Sequence, residues 1–215
     1  MNRVSKGEET QKSPVALVSL NAKFIHSNLA IDCLRAYSEE QQLPVSFRIM
    51  EFHINQPVDY IVGEILALGI DIVGFSCYIW NISETLHVIS RLKLAKPSMT
   101  VIVGGPEVSY DTEDLMRQYS EIDYCITGEG EVAFARLLSQ LLSQDRSTVA
   151  SEEISQRIIP GEPVDLDQVP SPYPVNLEER YRNKLVYLET SRGCPFNCQY
   201  CLSANTRGVR YFSWD

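Results

Sequence analysis

Short apolar runs alternate with longer amphipathic segments from residue 15 to about residue 142. In the longer segments apolar residues recur at helical spacing, as with Ile82, Leu86 and Ile89, whereas the short runs have the length of buried strands. This alternation is typical of βα units that build a parallel sheet. The pattern predicts strands at 15–20, 45–50, 71–77, 100–103 and 122–126, and helices at 28–40, 57–68, 81–94, 111–119 and 131–143. It therefore predicts a five-stranded parallel α/β domain over residues 14–144.

The periodicity ends after residue 144 and a proline-rich stretch follows. Prolines cannot donate to a strand ladder and favour an extended backbone, so residues 145–184 are predicted to be a semi-rigid surface linker. A further strand is predicted at 185–189, where a second, incomplete module of residues 185–215 begins. Residues 1–13 are polar and charged and are predicted to be a disordered amino-terminal segment. The prolines of the linker are Pro160, Pro163, Pro170, Pro172 and Pro174.

Charge and hydropathy restrict the partners and the location of the protein. The formal net charge of −9 is spread along the chain and would repel a phosphate backbone, which argues against a nucleic-acid partner. No apolar run reaches the roughly 20 residues that cross a bilayer, and the first residues lack the apolar core of a signal peptide. We expect a cytoplasmic protein with no membrane partner. In that compartment six cysteines indicate metal binding or catalysis more than disulfides.

Three of the cysteines, Cys194, Cys198 and Cys201, lie within eight residues. Thiolates are the usual protein ligands of iron–sulfur clusters, and three of them would leave one iron of a four-iron cluster open. That iron can chelate a small molecule through amino and carboxylate groups. A zinc site would favour paired Cys-x-x-Cys units with four ligands in all, and no fourth cysteine or histidine is near in the sequence. Gly193 and Pro195 supply the bend that a backbone wrapped around a cluster requires.

The Cys-x-x-x-Cys-x-x-Cys spacing after a predicted strand, with Tyr200 before the last cysteine, resembles the radical S-adenosylmethionine superfamily. In that family the loop follows the first strand of a (β/α) barrel. The resemblance implies that Cys194, Cys198 and Cys201 ligate a 4Fe-4S cluster and that Tyr200 lies beside the adenine of S-adenosylmethionine. It implies reduction of S-adenosylmethionine to methionine and a 5′-deoxyadenosyl radical, with an electron donor such as flavodoxin or ferredoxin and a small-molecule or peptide substrate.

The order of a Rossmann-like domain, a linker and the cysteine loop resembles the cobalamin-binding subgroup of that superfamily. In an open parallel sheet ligands bind at the carboxyl ends of the strands, and glycine there lets the backbone approach a bulky ligand. The resemblance implies cobalamin as a cofactor and either methyl transfer or a radical rearrangement as the reaction. The residues that it assigns to cofactor binding at the sheet edge are Ser76, Gly104, Gly105, Gly128 and Gly130.

Two features depart from the families considered. Many cobalamin domains carry Asp-x-His-x-x-Gly after the first strand, and this motif is absent here. His26 is the histidine near the site, and a hydrogen-bonding or capping role is expected for it ahead of cobalt ligation. Radical methylthiotransferases, the alternative enzyme class, hold a second cluster on amino-terminal cysteines that lie in turns. Here Cys33 and Cys125 fall on predicted core positions, and Cys77 lies at a strand end near the predicted site.

A (β/α) barrel needs far more than the 14 residues that follow Cys201. A second alternative is therefore a cobalamin-binding fragment that cannot turn over S-adenosylmethionine. At the level of local structure, Asn81 and Glu84 are spaced as a reciprocal cap and predict a helix start after the third strand.

Overall fold

Six parallel strands form the central sheet of the computed structural model, which describes residues 12–143, 154–173, 176–202 and 208–213. The order is β2-β1-β3-β4-β5-β6, and it reverses between β1 and β3. The apolar run of β1 is buried on both faces of the sheet, as parallel strands covered by helices require. The strands are β1 (Ser13–Asn21), β2 (Val45–His53), β3 (Ile72–Ser76), β4 (Thr100–Gly104), β5 (Tyr124–Thr127) and β6 (Ile158–Pro160).

Helices cover both faces of the sheet and enclose two apolar clusters. On one face α1 (Leu29–Glu40) packs with α5 (Glu131–Leu142), and on the other α2 (Val58–Ala67) packs with α3 (Ile82–Ala95). Alternate residues of β1 enter different clusters: Leu17 packs with Phe134 of α5, whereas Val18 packs with Leu92 of α3. The shorter α4 (Thr112–Gln118) joins the second face through Met116.

The predicted Rossmann-like α/β fold is confirmed, and its five strands and five helices are present within a few residues of their predicted bounds. The strand count is corrected from five to six. The sixth strand, β6, lies inside the segment predicted as a linker, where it pairs with β5. Ile158 and Ile159 pack against the two apolar clusters, one on each face. Three residues that end in Pro160 give too short a pattern to distinguish an edge strand from a linker.

The prediction of a strand at 185–189 is wrong. Within it only Leu185 makes a bridge, to His26, and the side chains of Val186 and Leu188 are exposed. Instead, β7 (Ser191–Cys194) pairs antiparallel with β8 (Gly208–Tyr211) in a separate ribbon. The apolar residues of 185–189 have the pattern of a strand. A strand also needs a neighbouring strand that exchanges backbone hydrogen bonds with it along its length. In the described part of the chain, only Leu185 has such a neighbour.

Two local predictions also change. The helix after β3 begins after Asn81 as expected, but the Asn81 side chain makes no cap hydrogen bond. Its amide donates to the carbonyls of Leu20 and Ser76 and accepts from the Tyr78 amide, so it fastens the ends of β1 and β3 together. Ser13, within the segment predicted as disordered, begins β1, and residues 1–11 lie outside the described residues. The divisions at residues 144 and 184 stay predictions.

None of the helices in the described part of the chain combines the length and the apolar character that crossing a membrane requires.

Candidate functional site

A cleft opens at the carboxyl edge of the sheet, where the strand order reverses. Its volume is about 760 Å³. The ends of β3, β4 and β5 and the first turns of α1 and α5 form its walls, and Glu189 and β7 border it from the carboxyl-terminal part of the chain. Ligands of open parallel sheets bind at this edge, and sites for small molecules and cofactors commonly measure roughly 300–1,000 Å³. Position and size therefore mark the cleft as the candidate functional site.

Five of the six residues predicted to bind a cofactor line this cleft, and the sixth does not. Tyr200 is 93% exposed and lies outside it. The topology thus brings together residues that are up to 54 positions apart in the chain, although cofactor contact by any of them stays a prediction. The five lining residues are Ser76, Gly104, Gly105, Gly128 and Gly130.

Two of these glycines are needed because backbone segments cross closely at the cleft. Gly105 has φ +116°, and a Cβ there would lie 2.4 Å from the carbonyl oxygen of Cys77. Gly128 has φ +71°, and its Cβ would lie 2.8 Å from the carbonyl oxygen of Gly161. Residues other than glycine rarely adopt these backbone conformations. The loops after β4 and β5 therefore keep their positions at the cleft only with glycine.

The floor of the cleft, between the sheet and α5, is apolar. Leu17, Gly74, Ile102 and Phe134 line it. Gly74 lies in the middle of β3, where a Cβ would come 3.0 Å from the Leu17 Cδ2 atom, so the Leu17 side chain packs directly on the backbone of β3. Glycine inside a strand often marks a place where another group approaches the backbone. The buried side chains of Leu17 and Phe134 thus close the cleft beneath its polar mouth.

Ser76 is held in the cleft wall by Asn28, whose role the sequence analysis missed. The Asn28 Nδ2 atom donates to Ser76 Oγ over 2.8 Å. The Asn28 Oδ1 atom accepts from the Ile31 amide and caps α1, while the Asn28 backbone amide donates to Glu51 over 2.7 Å. Asparagine at a predicted helix start signals a cap from sequence alone. Its contact with Ser76 depends on the fold.

Glu51 lies at the centre of a second polar cluster, which docks the segment after β6 onto the domain. Both Arg180 and Lys184 contact its carboxylate over 2.6 Å, and Arg180 also reaches the buried Asp32. Burial would raise the pKa of Glu51, but hydrogen bonds from Arg180 and Lys184 outweigh it and hold that pKa below its ordinary value. Burial raises the pKa of Asp32, despite Arg180 and the Tyr181 hydroxyl. Arg180 ends a short helix, Leu177–Arg180.

Charged residues form the wall of the cleft nearest to the cysteine loop. The Arg192 guanidinium contacts Glu131 over 2.5 Å, Glu129 over 3.2 Å and Glu189 over 3.0 Å. Its side chain is 12% exposed. Burial would lower the pKa of Arg192, but the hydrogen bond and charge of Glu131 raise it, so the guanidinium stays charged. No local pattern in the sequence indicates these pairs, since Arg192 lies more than 60 positions from Glu129 and Glu131.

The three loop cysteines, Cys194, Cys198 and Cys201, follow directly from this wall. Cys194 ends β7, Cys194 and Cys198 are partly exposed, and Cys201 is exposed. The Cys201 amide donates to the Cys198 carbonyl over 3.0 Å in a local turn. Across the residues that the structure describes, no three His, Cys, Asp or Glu side chains are gathered as a metal site. The donor set suits iron, and ligation by these cysteines stays a prediction.

The amino-terminal cysteines, Cys33, Cys77 and Cys125, are all buried and separate from that loop. Burial raises the pKa of Cys33 and of Cys125 to about 12, and it raises that of Cys77 as well. Cys33 also borders the cleft. His26 does not border it, and its ring Nδ1 atom makes a hydrogen bond with the Tyr187 hydroxyl. This is the hydrogen-bonding role expected for His26, with a partner far along the chain.

Comparison with known proteins supports the position of the cleft. The family model described as "B12 binding domain" matches residues 15–138, more than half of the chain. The matched segment contains β2 to β5, nearly all of β1, and the strand ends and first helical turns that form the walls of the cleft.

Two curated relatives match a longer part of the chain. One is 2-(S-pantetheinyl)-carbapenam-3-carboxylate methyltransferase of Streptantibioticus cattleyicolor, which is 30% identical over 86% of this chain. The other is the cobalamin-dependent radical SAM methyltransferase TokK of Streptomyces tokunonensis, 30% identical over 87% of this chain. Both alignments cover 30% of the relative, so the chain spans less than a third of the length of these enzymes.

The fold is also that of a solved enzyme. The radical S-adenosylmethionine methyltransferase TsrM of Kitasatospora setae, solved with cobalamin and a [4Fe-4S] cluster bound, superposes with a TM-score of 0.70 at 19% identity. The match covers 94% of this chain and 44% of TsrM. At this identity the likeness is one of fold.

Proposed function

Because the chain belongs to the B12-binding domain family, we propose that its cleft holds cobalamin and that it takes part in radical S-adenosylmethionine-dependent methyl transfer. The observation that carries this proposal is the glycine-edged cleft of about 760 Å³ at the carboxyl ends of β3, β4 and β5. Methyl transfer is favoured over rearrangement because both curated relatives described above are methyltransferases.

The residues of the cleft fit a corrinoid. Gly104, Gly105, Gly128 and Gly130 present backbone without side chains at the edge of the cleft, which a wide ring could approach closely. Leu17 and Phe134 provide an apolar floor against which part of the cofactor could pack. Among the described residues that line the cleft there is no histidine. Bound cobalamin would supply the cobalt that carries the methyl group.

The three loop cysteines fit the donor set of an iron–sulfur cluster. Cys194 ends β7 beside the cleft wall, Cys198 and Cys201 lie in the turn that follows, and thiolates are the ligands that such clusters use. A 4Fe-4S cluster held there would supply the electron that cleaves S-adenosylmethionine, with Tyr200 proposed to stack beside the adenine. A small-molecule or peptide substrate and an electron donor such as flavodoxin or ferredoxin complete the proposal.

The corrinoid site is tested by titrating the chain with hydroxocobalamin and following the corrin absorption bands. Gly104 has no positive φ, and the atom nearest to a Cβ there, the Ile126 carbonyl oxygen, would be 3.4 Å away. A Gly104→Leu side chain is therefore tolerated by the backbone but narrows the cleft. We expect it to weaken binding by about tenfold or more, which is about 1.4 kcal/mol.

The matched control is Gly63→Leu, because a Cβ at Gly63 would meet no atom within 4 Å and the residue is exposed on α2. This variant should bind hydroxocobalamin as the parent chain does. Absence of corrin binding by the parent chain, or equal binding by the Gly104 and Gly63 variants, would refute the proposed site.

The cluster is tested by anaerobic reconstitution with iron and sulfide, followed by measurement of both per chain. Cys198→Ala should lower the iron content because it removes one of the three thiolates. Cys33→Ala is the control, since Cys33 is buried beside the cleft and should not affect iron content. Equal iron in the two variants would contradict the assignment of the loop cysteines.

The two alternatives make distinct predictions in the same experiments. A methylthiotransferase would load a second cluster on the amino-terminal cysteines, but these are buried and burial raises the pKa of each thiol. Two clusters per chain without corrin bands would favour that enzyme class. A cobalamin-binding fragment would bind hydroxocobalamin but form no 5′-deoxyadenosine from S-adenosylmethionine after reconstitution.

A further inference from the structure

The ribbon of β7 and β8 carries two arginines that face each other. Arg192 and Arg210 are paired directly in the register of the two strands. Like charges at directly opposite positions of an antiparallel pair destabilise it. Each arginine contacts a different oxygen of the Glu129 carboxylate, which lies in the loop after β5. The ribbon therefore relies on a carboxylate from the cleft wall to neutralise its own repulsion.

Arg192 binds that wall more extensively than Arg210. Its guanidinium also contacts Glu131 in the first turn of α5, over 2.5 Å, and Glu189 just before β7, over 3.0 Å. The exposed fractions of the Arg192 and Glu131 side chains are 12% and 6%. Removing one partner of a buried ion pair leaves the other charge desolvated, so such pairs fix a geometry more strongly than surface pairs do. The guanidinium has five N–H donors in a fixed planar fork, which suits it to contact three carboxylates at once.

The position of Arg192 links the cleft to the cysteine loop. Ser191, Arg192 and Gly193 all border the cleft, and Cys194 is the next residue and the last of β7. Gly193 has φ +99°, and a Cβ there would lie 2.1 Å from the Gly208 carbonyl oxygen, so the two strands cross closely at this point. A ligand that fills the cleft contacts the loop that contains Glu129 and the strand that leads to Cys194 simultaneously.

We propose that Arg192 is a positioning residue that couples occupation of the cleft by a corrinoid to the placement of Cys194 and the loop that it begins. The inference rests on the proposed cobalamin site and adds to it a specific connection. A corrinoid that orders the loop containing Glu129 and Glu131 strengthens the ion pairs between these carboxylates and Arg192. Because coupling between two sites is reciprocal, a ribbon whose Arg192 contacts that loop also strengthens corrinoid binding.

Hydrogen exchange of the 215-residue chain, with and without hydroxocobalamin, tests the coupling. In the parent chain we expect the corrinoid to slow exchange both in the cleft loop after β5 and in β7 and β8. In Arg192→Met the slowing should persist in the cleft loop but be lost in the ribbon. Hydroxocobalamin affinity should fall by roughly 5- to 150-fold, the usual range of coupling between sites. Arg192→Lys keeps one charge without the planar fork and should give an intermediate affinity and a partial ribbon response.

Arg117→Met is the matched control. Arg117 also contacts two carboxylates, those of Glu113 and Asp114, over 2.6 and 2.7 Å, but its side chain is 57% exposed on α4, away from the cleft. Exposed pairs contribute little, so this variant should reproduce the parent chain in both measurements. Exchange in β1 reports whether each variant has retained the folded sheet.

A double-mutant cycle separates coupling from a general loss of stability. Glu131→Gln should weaken hydroxocobalamin binding in the parent chain but have little further effect in the Arg192→Met background, because the contact is already broken. Additive effects, or an unchanged ribbon response in Arg192→Met and Arg192→Lys with binding intact, would overturn the coupling and leave the proposed function standing. Failure of the parent chain to bind hydroxocobalamin would remove both.

Discussion

The same substitution, glycine to alanine, should have opposite effects at Gly105 and Gly63. At Gly105 the backbone has φ +116° and ψ +173°, a region that is almost restricted to glycine and costs other residues about 1–3 kcal/mol. The new Cβ would also lie 2.4 Å from the carbonyl oxygen of Cys77 and 3.1 Å from its nitrogen. Both are backbone atoms, which cannot move away as the end of a flexible side chain can. Overpacking of this kind costs about another 1–3 kcal/mol.

Gly105→Ala is thus expected to lower the free energy of unfolding by roughly 2–6 kcal/mol, the sum of the two terms. Gly63 lies inside α2 with no atom within 4 Å of a Cβ, and alanine there should raise the free energy of unfolding by about 0.5–1 kcal/mol. For a chain of this length 1 kcal/mol shifts Tm by about 2–4 °C. Gly105→Ala should therefore melt several degrees below the parent chain and Gly63→Ala a few degrees above it.

Thermal melts followed by circular dichroism, with urea titrations to obtain the free energy of unfolding, measure both variants under one condition. Hydroxocobalamin titration adds a functional measurement, because a displaced loop after β4 deforms the cleft wall. A Gly105→Ala variant that melts within a degree of the parent chain would refute the close crossing of Gly105 over Cys77. A fall in Tm for Gly63→Ala would instead refute the open environment assigned to that helix position.

Three further predictions concern the buried polar cluster and the cysteines. Glu51→Gln should lower the free energy of unfolding by about 3 kcal/mol, the lower end of the roughly 3–5 kcal/mol typical of broken buried ion pairs. The lower end is expected because Arg180 still pairs with Asp32 in this variant, and urea titration at neutral pH measures the loss. Because the pKa of Glu51 is lowered in the fold, its contribution is complete above its ordinary value of 4.5 and is lost as the pH falls through the lowered pKa, so Glu51→Gln should flatten the acid side of the stability profile. Asp32→Asn should cost less than Glu51→Gln at neutral pH, because the raised pKa of Asp32 shows that its ionised form is disfavoured in the fold; a larger loss would contradict this. Iodoacetamide at pH 8, read by peptide mass, should label the loop cysteines of the folded chain and spare the amino-terminal cysteines until urea is added.

The features that local pattern determines were predictable from the sequence. The continuous apolar runs of β1 and β3, each followed by an amphipathic helix, have few structural alternatives, and their bounds agree with the structure within a few residues. The role of Gly105 was also predictable from the sequence, because paired glycines at the end of a strand indicate that the backbone there lies close to another segment or to a ligand. The edge position of these strand ends follows from parallel topology alone.

The features that long-range contacts determine were not predictable. Arg192 has no property in the sequence that indicates Glu129 and Glu131, and the pairs form because the ribbon folds back over the end of β5. Asn81 has the local sequence signature of a helix cap. In the structure its side-chain amide instead donates hydrogen bonds to the buried carbonyls of Leu20 and Ser76, because the fold brings these carbonyls within reach. In both cases a local signal yields to partners that only the tertiary structure supplies.

The pairing of β6 with β5 has a practical consequence for anyone who shortens this protein. Cutting the chain at residue 144, where the sequence pattern ends, would delete β6 and leave the backbone of β5 as an open edge that can pair with another molecule. It would also remove Arg157, which donates to the carbonyls of Ile122 and Asp123, and Gly161, whose amide donates to Thr127. A recombinant version that continues through β8 retains these partners, keeps Arg180 and Lys184 on Glu51, and should aggregate less than the shorter one.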